Sequence, residues 1–152
     1  MSEFTYNPVQ LVNPNQPVLL NTSIACNRGY VLHRNGSGIV TLRGIVNNPG
    51  GCFARYQCTF NANIAVPEGV TPGPIAVALA IDGEPLLTSR AIVTPAAADD
   101  YFNVTSTAVI TVPRGCCFNV SVENVSESSD PATTPAPQIN VQNANLTVSR
   151  IA

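Results

Sequence analysis

The sequence predicts an all-β protein, a sandwich or jelly roll of about eight to ten antiparallel strands. Three observations predict it. Residues 53–66, FARYQCTFNANIAV, place Ala54, Tyr56, Cys58, Phe60, Ala62, Ile64 and Val66 on one side and Arg55, Gln57, Thr59, Asn61 and Asn63 on the other. A period of two held this long marks a strand with one buried and one wet face. The same alternation recurs at 102–112, a run bounded by Asp, Pro and Gly, and a last strand is read at 139–151. No stretch carries a capped apolar period of 3.6, and no fixed repeat is present.

Residues 1–16 are rich in Asn, Pro and Gln without periodicity. They read as an extended arm that orders only by packing on something else, with Phe4, Tyr6, Val9 and Leu11 as its anchoring side chains. Residues 17–152 then form a single jelly-roll domain. Strands are expected at 18–24, 29–34 and 38–46, with Asn35-Gly36 forming a type I′ turn, since both of its central residues need positive φ. A second turn falls at Asn47-Asn48-Pro49-Gly50-Gly51. The long strand from Phe53 ends at Pro67-Glu68-Gly69.

In residues 75–81 the large aliphatics alternate with Ala76, Ala78 and Ala80, so both faces read as dry. The alanine face is expected under a loop or a neighbouring subunit. Asp82-Gly83 turns the chain into a strand at 85–95. Residues 102–112 put Phe102, Val104, Ser106, Ala108, Ile110 and Val112 on one face, and Pro113-Arg114-Gly115 breaks the run before Phe118, Val120 and Val122 resume it. Residues 127–138 form a long surface loop before the last strand. Tyr56, Phe102 and Phe118 are expected to fill the core.

Composition narrows function. The 152 residues are 45% hydrophobic and 11% charged, against about 25% charged in an ordinary domain. All seven cations are arginine and the formal net charge is −2, so the basic footprint of a nucleic-acid binder is missing. A surface this poor in charge is covered by Asn, Thr, Ser and Gln or lies against other chains. The N-terminus lacks the basic-then-apolar pattern of a secretory signal, and the apolar run at 74–81 is too short to span a bilayer. Synthesis in a cytosol is the expectation, with no membrane partner. The six Asn-x-Ser/Thr triplets, at Asn21, Asn35, Asn103, Asn119, Asn124 and Asn145, then reflect exposed strand faces rather than glycosylation.

Candidate chemistry is sparse, and no cofactor or metal is expected. His33 is the only histidine and sits in an alternating run beside a turn, where a surface or subunit contact is the plainer role. It cannot build a histidine-rich metal site, and no nucleophile elbow accompanies it. Asp99-Asp100 and the pair Asp82 and Glu84 lack the alternate-position acids of a calcium loop and read as solvated turns. Nothing singles out a carboxylate pair for glycoside cleavage, and tryptophan is absent. Among the five cysteines, Cys58 lies on an apolar strand face and reads as a small hydrophobe. Cys26, Cys52, Cys116 and Cys117 form a candidate thiol cluster or disulfide at one end of the sandwich, with reduced thiols favoured by a cytosolic origin.

The segments GGCFARYQCTF, VALAIDGEPL, VITVPRGCCFNVSVENVS and NANLTVSRIA occur in an order that resembles the jelly roll of the tumour necrosis factor and complement globular-head superfamily, over residues 38–152. The chain is also similar to short jelly-roll proteins of Firmicutes phages and prophages, which begin with a Pro/Asn-rich segment of this kind. No collagen-like Gly-X-Y stem precedes the domain. The resemblance implies a homotrimer packed around a three-fold axis and supplies no catalytic residue. It points to a non-enzymatic structural or recognition protein, a virion accessory of capsid-decoration or short head-fibre type. The arm would dock on a capsid or other virion protein, and the loops at 82–87, 95–101 and 127–138 would face outward. The alternative is a bacterial surface or spore-coat module recognising glycan or host protein. A cupin-like enzyme would need more histidines than this chain has.

Overall fold

A computed structural model describes residues 1–24, 29–45 and 50–152. Twelve strands lie within these residues: β1 (Ser2–Tyr6), β2 (Gln10–Val12), β3 (Thr22–Ser23), β4 (Val31–His33), β5 (Val40–Arg43), β6 (Phe53–Ala65), β7 (Ile75–Ile81), β8 (Glu84–Pro85), β9 (Ala91–Val93), β10 (Phe102–Pro113), β11 (Cys117–Asn124) and β12 (Ile139–Arg150). They form two six-stranded sheets. The front sheet runs β10-β6-β12-β1-β3, with β2 also on β12; the back sheet runs β4-β5-β11-β7-β8, with β9 also on β7. All pairings are antiparallel, so the architecture is the expected all-β jelly roll.

The period-two pattern of β6 translates directly into burial. Ala54, Tyr56, Cys58, Phe60, Ala62 and Ile64 are all fully buried against the back sheet's Val40, Leu42, Val77, Leu79, Val120 and Val122. Each large side chain so placed contributes about 1.5–3 kcal/mol. Burial pushes the Cys58 thiol up to about 12, so it remains a protonated, unreactive core group. The Tyr56 hydroxyl crosses the sandwich and donates to the Arg43 carbonyl at 2.5 Å, joining the two sheets.

The N-terminal residues are not a free arm. Ser2–Tyr6 pairs with residues 144–148 of β12, Gln10–Val12 pairs with residues 139–141, and Phe4 is fully buried. A bulge in β12 between Gln142 and Asn145 separates the two pairings, and Asn143 there takes φ 54°. The chain then crosses to the back sheet, where Asn15 N donates to Asn124 O and Val18 N to Val122 O. The expected boundary between residues 16 and 17 is therefore not a structural one. A segment without period escaped notice because two short strands split by Asn7-Pro8 leave too few residues to alternate.

Four smaller expectations also change. Of the strand read at 18–24, only Thr22–Ser23 pairs as a strand, flanked by isolated bridges at Pro17 and Leu20. The strand read at 85–95 breaks into β8, a 3-10 turn at Leu87–Ser89 and β9. Ser89 explains the break: its hydroxyl bonds Leu79 N and Leu86 O, so the chain dips inward instead of continuing the ladder. The type I′ hairpin lies at Asp82-Gly83, with φ 51° and 82°, whereas at Asn35-Gly36 only Gly36 has positive φ. Phe102 is 41% exposed at the end of its strand, while Tyr56 is buried and Phe118 packs half-buried against the core.

Candidate functional site

His33 is a fastener. Its Nε2 lies 3.0 Å from the Ser37 carbonyl, which can only accept, so Nε2 carries the proton and Nδ1 accepts from Ser23 Oγ at 2.8 Å. Its ring packs on Phe4 with centroids 4.7 Å apart. The histidine thus ties β3, β4 and the following turn over the N-terminal strand. Asp82 Oδ1 accepts the Asn119 N–H at 3.0 Å, and Asp99 and Asp100 are exposed in the loop before β10. No group of three or more His, Cys, Asp or Glu suited to a metal occurs among the described residues.

Cys52, Cys116 and Cys117 are exposed thiols at one end of the sandwich, joined by no disulfide, and Cys26 lies outside the described residues. The turns that carry them are laced together: Arg114 N donates to Cys52 O, and Gly44 N to Cys116 O. Of the four side chains expected to anchor the arm, Phe4 is core, Tyr6 is half-buried, and Val9 and Leu11 are 49% and 56% exposed. Asn124, one of the six triplet asparagines, is fully buried, donating to Val12 O and Pro137 O and accepting from Ser126 N. It closes the core rather than decorating a face.

The opposite end carries a cavity of about 610 Å³ between residues 67–74 and 127–138. Pro14, Pro72, Pro74, Pro135 and Pro137 line it, together with Val66 and Val70 and the polar Thr71, Ser128 and Gln138. This size suits a small organic ligand or a single side chain of a partner. The loop at 127–138 was expected to face outward. What the sequence hid is that its prolines meet those of 72–74 across the top of the sandwich. Glu127, on the rim, is held at 2.9 Å by Arg90.

The outward face of the front sheet is a grid of neutral hydrogen-bonding side chains. Gln57, Thr59, Asn61 and Asn63 of β6 stand beside Asn103, Thr105 and Thr107 of β10 and Asn145, Thr147 and Ser149 of β12. Asn61 Nδ2 donates to Thr105 Oγ1 at 2.8 Å, Asn103 Nδ2 to Asn63 Oδ1 at 3.1 Å, and Thr107 Oγ1 to Thr59 Oγ1 at 3.2 Å. Glu3 and Arg55 are the charges at its margins, and Val109 is an exposed apolar side chain among the polar ones.

On the back sheet, Ala76, Ala78 and Ala80 are buried within the single chain, so no neighbouring subunit is needed to cover them. Ser121 and Glu123 of β11 flank Ala80 and Ala78, and Pro85 and Ile92 lie on the other side. Burial pushes the Glu123 carboxyl above its usual range; the Ser121 hydroxyl opposes the rise and Glu84 adds to it. Between the ordinary carboxylate range and that raised value, the folded chain holds a proton the unfolded chain has released. Stability therefore falls as pH rises through this window. Glu123→Gln is expected to melt above the parent at neutral pH, with the difference closing in acid below the ordinary carboxylate range; thermal melts across pH check it.

Fold and surfaces define the class: a jelly roll of the tumour necrosis factor type, with a sealed core and loop-bearing ends. Solved structures share it, among them the following two. The globular domain of zebrafish complement 1qA is 15% identical with a TM-score of 0.59, over 99% of this chain and 97% of that one. Eiger TNF from S. frugiperda is 12% identical with a TM-score of 0.65, over 100% of this chain and 92% of that one. No family model and no curated protein matches the sequence.

Proposed function

We propose that this protein is a non-enzymatic, homotrimeric recognition or structural module, used as a virion accessory of capsid-decoration or short head-fibre type. The observation that carries the reading is the outward face of the front sheet, a broad surface with its charges confined to the margins. Such a face loses little charge solvation on association and offers Asn and Thr groups that can re-pair across a seam. The shared fold with the two structures above supports packing on this sheet by analogy. The engagement of both His33 ring nitrogens in backbone and hydroxyl contacts supports a non-catalytic role. Docking through residues 1–16 narrows to Val9 and Leu11, the exposed members of the four expected anchors.

Light scattering tests the assembly. The full chain is expected at three times 15.9 kDa, and Thr59→Arg/Thr107→Arg, which crowds cations at the middle of the face, at a single 15.9 kDa. A parent protein at the single mass sinks the trimer. The cavity at the loop end favours a second reading, a bacterial surface or spore-coat module that recognises glycan or host protein. Immunoblots of purified particles against cell envelopes separate the two, since the virion reading requires the chain in the particle fraction.

A further inference from the structure

Hydrogen-bonding capacity and charge give the loop-end cavity a definite chemical character. Its lining passes from Val66 and Ile75, each 1% exposed, out to Pro72, Pro74 and Pro135, which are exposed. It is therefore a recess that reaches core residues. Its volume of about 610 Å³ falls within the range of small-molecule sites, roughly 300–1,000 Å³. Pro14, Pro72, Pro74, Pro135 and Pro137 bring it apolar rings and carbonyls but no backbone N–H. No aromatic side chain is among the lining residues, so a sugar ring finds no stacking platform there.

The polar side chains of the lining lean the same way. Ser128 Oγ gives its only proton to the Thr134 carbonyl, and Gln138 Nε2 donates to Asn13 Oδ1, which leaves Gln138 Oε1 as an acceptor. Glu127 is the charged residue of the lining and can only accept. Arg90 Nη1 holds its Oε1 at 2.9 Å, but the Glu127 side chain is 73% exposed. Arg90 Nε is buried without a hydrogen-bond partner, so the Nη1 contact alone carries the pair. An exposed pair of this kind exchanges partners at little cost. The surroundings share the sign. Segments 13–16, 66–74, 94–101 and 125–138 meet at this end, where Asp99 N donates to Val66 O at 2.9 Å and Gln138 reaches Asn13. They carry Glu68, Asp99, Asp100, Glu127 and Asp130, and no arginine or histidine. Glu127 alone of these lines the cavity; the other acids set the sign of the field around it and are not ligands.

We propose that the cavity is a binding site for a small organic amine, its apolar body among the proline rings and its ammonium group on Glu127. An ammonium group donates and cannot accept, which complements a lining rich in acceptors. An anionic ligand would face Glu127 with no arginine in the lining to offset it. A neutral glycan would find few donors for its oxygens. The proposal rests on reading the protein as a non-enzymatic recognition module and needs neither the trimer nor the virion role. It names an amine where the second reading above names glycan or host protein.

Fluorescence titration of the full chain tests it with three dansyl probes that share one apolar body. Dansylcadaverine ends in an ammonium, its N-acetyl derivative in an acetamide and dansyl-aminohexanoate in a carboxylate. The ammonium probe is expected to bind with saturating, blue-shifted emission, the acetamide about fivefold weaker and the carboxylate not at all. Glu127→Gln should lower the ammonium probe to the affinity of the acetamide. Arg90→Gln, which frees both carboxylate oxygens, should raise it. Gly73→Leu adds bulk at a lining position where a Cβ meets nothing within 4 Å, and should exclude both probes with the melting temperature unchanged. Ala136→Leu repeats that test from the facing loop. The proposal fails if no probe binds, if the carboxylate binds as tightly as the ammonium, or if Glu127→Gln keeps the preference. It fails equally if dextran oligosaccharides or a blocked phenylalanyl-lysine dipeptide displace the probe better than phenethylamine does, since a glycan or a partner's side chain is then the occupant. Light scattering and particle immunoblots read assembly and location separately, so a negative titration and a failed trimer are told apart.

Discussion

A version lacking residues 1–16 is expected to lose its cooperative thermal transition. β1 lies between β12 and β3 in the front sheet, so its removal strands β3 and leaves β12 with β6 as its lasting partner. Phe4 and Val12 leave the core together, each worth about 1.5–3 kcal/mol of burial. The contacts of Asn15 and Asn124 at the crossing, and the ring contact between Phe4 and His33, go with them or lose their support. Set against a net stability of about 5–15 kcal/mol for a domain, the combined loss decides the outcome. Phe4→Ala is the graded version, with an expected cost of about 3–5 kcal/mol by denaturant melt. A truncated chain that still melts sharply would show that the front sheet closes without its N-terminal strands.

Gly44→Ala should destabilise the domain by about 1–3 kcal/mol, lowering the melting temperature by several degrees. A Cβ at Gly44 would fall 2.1 Å from the Pro113 carbonyl oxygen and 3.2 Å from that of Cys116. Those oxygens belong to the turn between β10 and β11 and cannot swing aside like a flexible side chain. Gly44 N also donates to Cys116 O at 2.8 Å, so shifting the strand to relieve the clash breaks that bond. Gly73→Ala is the matched control. Its Cβ meets nothing within 4 Å, and a neutral or slightly favourable effect is expected there. Equal melting temperatures for the two variants would mean that the turn yields more easily than its hydrogen bonds suggest.

The contrast between what the sequence disclosed and what it hid follows from length and partnership. β6 and β10 are long enough to express a period of two, and from Val104 onward their inward residues are the ones that alternate in the sequence, whereas β12 alternates in two halves whose phase shifts at its bulge. Asp82-Gly83 was legible because a two-residue hairpin demands residues that tolerate positive φ. The N-terminal strands were not, because runs of five and three residues are too short to establish a period and Asn-Pro resembles a linker. Ser89 offered no local sign that it would serve Leu79 and Leu86. The proline-walled cavity is a product of topology. It draws on residues from distant parts of the chain, and only the fold reveals that they meet.

The pairing of β1 with β12 also sets a clock. Residues 2–6 are synthesised well before residues 144–148, their hydrogen-bond partners. Until then Phe4 has no sheet to enter, and the edge of β6 that β12 will occupy remains open. Closure of the front sheet must therefore wait for β12, and it rests on contacts of large sequence separation, the regime in which domains fold slowly. During that wait the nascent protein exposes long unpaired strand edges to its neighbours, so its yield in a cell depends on synthesis rate and crowding of like chains as much as on final stability.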